Sequence, residues 1–123
     1  MSVSALPEPQ LSWSEDRPGR GVTVLGFAGE LDLATAPQAE SLILPRLDGA
    51  RSLVLDFSGL TFLGAAGLNL VLRARLLATR RGIDLRLVAG ARCVTRVFEL
   101  AEDAGWPPVP VYRRLADALE EQA

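Results

Sequence analysis

The chain has 123 residues, 49% hydrophobic and 23% charged, with a formal net charge of −2. That is enough for one domain around one core, and the balance argues against nucleic acid or an anionic membrane as partner. The longest apolar stretch, residues 60–72, is interrupted by Thr61, several small residues and Asn69 and is too short for the roughly 18 to 20 residues of a membrane span.

Residues 1–10 hold two prolines and two serines without periodicity and are expected to be a flexible lead, with a single domain over 11–123. Their lack of a basic region followed by an apolar one argues against a secretory leader and for the cytoplasm. Residues 11–15 alternate as a short edge strand, residues 16–21 supply turn chemistry, and residues 22–28 read as a second strand, giving an antiparallel hairpin. Gly26 inside it marks a bulge or a close backbone neighbour. A helix start follows: Thr35 as cap, Pro37 in the first turn and Gln38 at capping-box spacing. This helix should run to about Leu47, burying Leu42, Ile43 and Leu47, and end at Asp48-Gly49.

Residues 52–57 carry the β-branched and aromatic bias of a covered strand, and from Ala65 the period lengthens from two to about 3.6 residues, predicting a helix over 65–81. One arc of it, Leu70, Val71, Ala74, Leu77 and Ala78, suits a sheet. A second arc of Leu68, Leu72 and Leu76 is either buried by neighbours or left as an apolar surface for a partner. After Gly82, residues 83–88 alternate as a strand with Asp84 and Arg86 on the wetter face. Residues 91–101 form a helix with Val94, Val97, Phe98 and Ala101 inward and Cys93 as a small buried hydrophobe. Gly105-Trp106-Pro107-Pro108 breaks it, residues 109–111 form a short strand, and residues 113–121 form a last helix burying Leu115, Ala118 and Leu119. Strands and helices in this order describe an α/β domain with helices packed on a small mixed sheet.

The junction between the covered strand and the long helix is the expected centre of function. Gly64-Ala65-Ala66-Gly67 puts small residues at a helix N-terminus, where free N–H groups favour an anion or a close partner, yet the turn itself has no nucleophile or acid. Asp32 and Asp56 are the tempting carboxylate pair. Without a histidine anywhere in the chain or a metal-ligand cluster, they read as helix-entry and turn-bracing residues, and no enzyme is expected. Gly59, Gly64 and Gly67 lack the lysine and hydroxyl of a phosphate loop and the spacing of a dinucleotide fingerprint. The arginines at 73, 75, 80 and 81 read as a solvated cluster suited to the helix C-terminus.

Two phrases, Gly29-Glu30-Leu31-Asp32-Leu33-Ala34-Thr35-Ala36 and Leu53 to Ser58 continuing through Phe62-Leu63 to Gly67-Leu68, resemble the STAS domain, the family of bacterial anti-sigma factor antagonists. Residues 94–100 are a weaker third match. The resemblance implies a mixed sheet of four or five strands flanked by about four helices. It also implies a transcription regulator, without cofactor, that binds an anti-sigma factor with a kinase-type domain and so frees a sigma factor. In that family the turn before the long helix usually reads Asp-Ser-Ser/Ala-Gly, and its first Ser is phosphorylated to switch binding off. The matching positions here are Gly64, Ala65, Ala66 and Gly67, so Ala65 is a degenerate phosphorylation site. The implied contact surface is Asp32, Thr35, Gly64, Ala65, Ala66, Gly67, Leu68 and Asn69, with Asp32 and Thr35 on its rim, in a monomer or weak homodimer. Alternatives are a scaffold subunit self-associating through Leu68, Leu72 and Leu76, or a module sensing a nucleotide or small ligand at the turn.

Overall fold

The computed structural model describes residues 11–120; the lead expected over 1–10 lies outside them. In chain order the elements are β1 (Leu11–Gly19), β2 (Val22–Leu31), α1 (Ala36–Ile43) with a 3-10 turn (Leu44–Leu47), β3 (Ser52–Leu63), α2 (Ala65–Arg81), β4 (Asp84–Val88), α3 (Arg92–Asp103), β5 (Val111–Tyr112) and α4 (Leu115–Glu120). The five strands lie in sequence order in one sheet. β1 is antiparallel to β2, and β2 to β5 run parallel. A mixed sheet with four helices is the architecture that the alternating elements imply.

The pleat sorts the strands into two faces. Leu25, Phe27, Leu53, Leu55, Phe57, Leu85 and Leu87 share the main core with Ala39 and Ile43 of α1, Leu70, Val71, Ala74 and Ala78 of α2, and Val94 and Phe98 of α3. The opposite side carries a smaller cluster, in which Val24, Val54 and Val88 meet Ala118, Leu115 and Leu119 of α4. β3 is therefore covered on both faces around Val54, which is why its sequence is a continuous apolar run.

Several boundaries depart from the sequence expectation. β1 continues to Gly19 as an edge strand, and its register slips between Asp16 and Gly19, where Pro18 has no N–H for the ladder. β3 runs to Leu63 instead of stopping at Phe57, pairing with β2 past two register shifts. Gly59 permits this: a Cβ there would lie 2.9 Å from the Ala28 Cβ and 3.0 Å from the Phe27 carbonyl oxygen. The last strand begins at Val111 and not at 109, because Pro107, Pro108 and Pro110 offer no N–H; the ladder forms through carbonyls, with Leu87 N–H donating to Pro110 O and Ala89 N–H to Tyr112 O.

Two side chains also differ, and one open alternative is resolved. Arg86, expected on the wetter face, is buried because α4 covers it: its guanidinium donates to the Ala118 carbonyl at 2.8 Å, pairs with Asp84 at 2.8 Å and lies 5.5 Å from the Tyr112 ring centroid. Cys93 is exposed at the start of α3, with its thiol 3.5 Å from the Thr61 carbonyl, and is not a core hydrophobe. The second arc of α2 divides, since Leu72 is buried, Leu68 packs partly against the core and Leu76 is half exposed.

Candidate functional site: the adjoining ends of β2 and β3

Parallel pairing brings the carboxyl ends of β2 and β3 together, with Leu31 opposite Leu63. The chain leaves β2 into the loop before α1 and leaves β3 into the turn before α2, so two segments more than thirty residues apart in sequence become neighbours. Gly64 N–H donates to the Leu31 carbonyl at 2.9 Å and ties the two exits together. Gly67 lets α2 come close: a Cβ there would stand 2.7 Å from Leu31 Cγ and 2.7 Å from Leu63 Cδ1.

The loop after β2 is held by its own side chains. Asp32 Oδ1 accepts N–H bonds from Ala34 at 3.0 Å and Thr35 at 3.1 Å, while Thr35 Oγ1 accepts the Asp32 N–H at 2.9 Å and donates to the Glu30 carbonyl at 2.8 Å. Thr35 occupies the N-cap position of α1 in a helical conformation, and no side chain caps that helix. The capping box with Gln38 is therefore absent, because the threonine hydroxyl is committed backward to residues 30 and 32. Thr35 is 1% exposed, so its side chain is a brace beneath the rim and not part of a surface. Asp56 plays a comparable local role, its Oδ1 accepting the Ser58 N–H at 3.0 Å.

Of the other expected contact residues, Ala65 and Asn69 are exposed, Asp32, Gly64, Ala66 and Leu68 are half-buried, and Gly67 is buried. No side chain caps the N-terminus of α2. Two large apolar residues border the turn that the sequence reading did not include: Leu33 is 83% exposed and Phe62 is 49% exposed. Phe62 lies against Gly64, since a Cβ on that glycine would be 3.1 Å from the ring edge and 3.8 Å from the Asp32 Cα. Their signal was an apolar residue inside each motif phrase at a position that strand or helix periodicity assigned to neither face. The result is an open, mostly apolar rim around a small uncharged turn. Among the described residues no group of three or more histidine, cysteine, aspartate or glutamate side chains is arranged to hold a metal, and no helix is long and apolar enough to cross a membrane.

Residues 17–118 match the family described as the STAS domain. The chain belongs to the STAS family. Among solved structures, this STAS chain is similar to an anti-sigma factor antagonist from Mycobacterium paratuberculosis, with 28% identity, 94% of this chain and 97% of that one covered, and a TM-score of 0.81. It shares the fold of an anti-sigma factor antagonist described as such on a provisional basis from Thermotoga maritima, at 20% identity, 89% and 92% coverage and a TM-score of 0.77. It also shares the fold of SpoIIAA in its unphosphorylated form, at 18% identity, 90% and 97% coverage and a TM-score of 0.70. No curated protein sequence matches the chain. The STAS domain's architecture is thus that of anti-sigma factor antagonists along nearly their whole length.

Proposed function

We propose that this STAS domain is a non-catalytic anti-sigma factor antagonist that binds an anti-sigma factor with a kinase-type domain and is not switched by phosphorylation at its central turn. The observation that carries the reading is the exposed Ala65 at the first position of α2, next to a turn against which the half-exposed Phe62 lies. SpoIIAA is known in both a phosphorylated and an unphosphorylated form, and the family's acceptor serine corresponds to Ala65. A methyl group cannot accept a phosphoryl group, and the surface keeps the small, neutral shape on which a partner can close. A phosphoserine at the same place would bring a charge of about −1.5 to −2 into a close interface, which is costly unless a basic group meets it.

The contact surface comprises Asp32, Gly64, Ala65, Ala66, Leu68 and Asn69, extended by Leu33 and Phe62, with Thr35 and Gly67 supporting it from below. Burial of Leu33 and Phe62 would supply much of the apolar contact, since apolar surface removed from water contributes about 25 cal/mol per Å2. Binding to the organism's kinase-type anti-sigma factors, measured by calorimetry with wild type, Ala65→Asp and Leu33→Glu, tests this. One partner binds wild type and loses affinity for both variants, and the wild-type chain stays unphosphorylated in ATP while remaining bound. Undiminished binding by both variants, or phosphate on Ser58 or Thr61 that releases the partner, refutes it.

A further inference from the structure

At the opposite end of α2, about 16 Å along the axis from Ala65 at the usual rise per residue, a groove of about 440 Å3 opens between the helix and the loop after α3. Leu72 and Leu76 form one side, and Trp106 and Pro107 the other. Leu76 is 50% exposed and Trp106 48% exposed, so two large apolar side chains border the same hollow without closing it. Its volume lies within the range of about 300 to 1,000 Å3 typical of small-molecule sites.

The charged groups at the edge are all of one sign. Arg75, Thr79 and Arg80 complete the lining. On the same helix Arg73 pairs with Glu40 and Arg81 with Asp48, each at 2.8 Å, whereas Arg75 and Arg80 have no carboxylate partner among the described residues. Thr79 donates its hydroxyl to the Arg75 carbonyl at 2.9 Å, which leaves the hydroxyl oxygen turned into the α2 backbone and the two guanidinium groups as the charged donors. A neighbouring cleft shares Leu72 and Pro107 but mixes Arg92 and Arg113 with Glu99 and Glu102, so its charge selects neither sign. The α2 groove is bordered by positive charge alone.

We propose that this groove is a second binding site, independent of the partner face, for a small amphipathic carboxylate of the medium-chain fatty acid class. Its alkyl body lies against Leu72, Leu76 and Trp106, and its carboxylate meets Arg75 and Arg80. Guanidinium groups suit this role because they offer paired N–H donors to two carboxylate oxygens.

The test uses the full chain carrying Trp13→Phe, which leaves Trp106 as the sole tryptophan, titrated with octanoate while tryptophan emission is followed. A saturable blue shift is expected, at least about tenfold weaker in affinity for octanol and for octylammonium, a difference equivalent to one charge-assisted contact. Arg75→Gln with Arg80→Gln should erase the preference for octanoate over octanol, and Leu76→Glu should abolish the shift while circular dichroism stays unchanged. Three results overturn the proposal: no saturable shift, equal affinity for octanoate and octanol in the unmutated groove, or a shift that survives Leu76→Glu. A fourth is sedimentation showing a dimer that Leu76→Glu converts to monomer, which would make the groove a face between two copies.

Discussion

Replacing Gly67 with alanine opposes two effects whose sizes decide the outcome. In a helix interior alanine is favoured over glycine by about 0.8 to 1 kcal/mol, so on local grounds Gly67→Ala should stabilise α2. The new methyl, however, would stand 2.7 Å from Leu31 Cγ and 3.1 Å from Leu31 Cδ2, as well as 2.7 Å from Leu63 Cδ1. Leu31 is 0% exposed and Leu63 4% exposed, and Cγ is the branch point of its side chain, so relief requires a rotamer change inside a packed core or a shift of the helix. Overpacking of this kind costs about 1 to 3 kcal/mol. The net effect is a loss of about 1 kcal/mol, seen as a melting temperature lower by roughly 4 °C for a domain of this size. Urea denaturation checks it, with Gly64→Ala as the control: Gly64 has an extended backbone, and its added Cβ would meet the ring of the half-exposed Phe62 at 3.1 Å and the Asp32 Cα at an ordinary 3.8 Å. A Gly67→Ala protein as stable as wild type, or one no less stable than Gly64→Ala, would refute the close-approach reasoning.

Thr35→Val removes the acceptor of the Asp32 N–H and the donor to the Glu30 carbonyl at a site 1% exposed, so denaturant titration should show a loss of about 1 to 3 kcal/mol, and Thr35→Ser should retain most of the stability. Arg86→Met leaves the Ala118 carbonyl without its guanidinium donor, and hydrogen exchange over residues 115–120 should accelerate while the main core stays protected. The Glu15 carboxyl is held below its ordinary value of 4.5 first by the hydrogen bond from Arg46 and then by that from Arg17. A depressed folded value means that this contribution is present above the unfolded value and is lost as pH falls through the folded one. Melting temperature should therefore fall below about pH 4.5 by more in wild type than in Glu15→Gln; parallel curves would refute it.

The course of β3 and its neighbours shows why some of the site was legible and some was not. Residues 52–57 announced a strand because both faces are buried, and nothing local carried it further. Only the parallel partner, residues 28–31, reveals residues 59–63 as its continuation. Thr35 had the grammar of a helix cap, and grammar alone does not say whether a hydroxyl reaches forward to the helix or back to Asp32 and Glu30. Arg86 read as exposed because alternation assigns it a face and cannot say that a helix from residues 115–120 covers that face. Leu33 and Phe62 were passed over because an isolated apolar residue in a loop has no periodicity to flag it.

By itself the sequence determined the order of the elements, the faces of α2 and α3 that enter the core and the membership of the STAS family, because these depend on local periodicity and on short motifs. It also puts an alanine, without a side-chain oxygen, at position 65. The tertiary structure alone decided that the loop after β2 and the turn after β3 share one rim, that Thr35 lies beneath it, and that Leu76 and Trp106 flank one groove. The rim and the groove are meetings of segments about thirty residues apart, made by strand pairing and helix packing, so no window of neighbouring residues contains both partners, whereas the place of Thr35 turns on which of two nearby directions its hydroxyl takes.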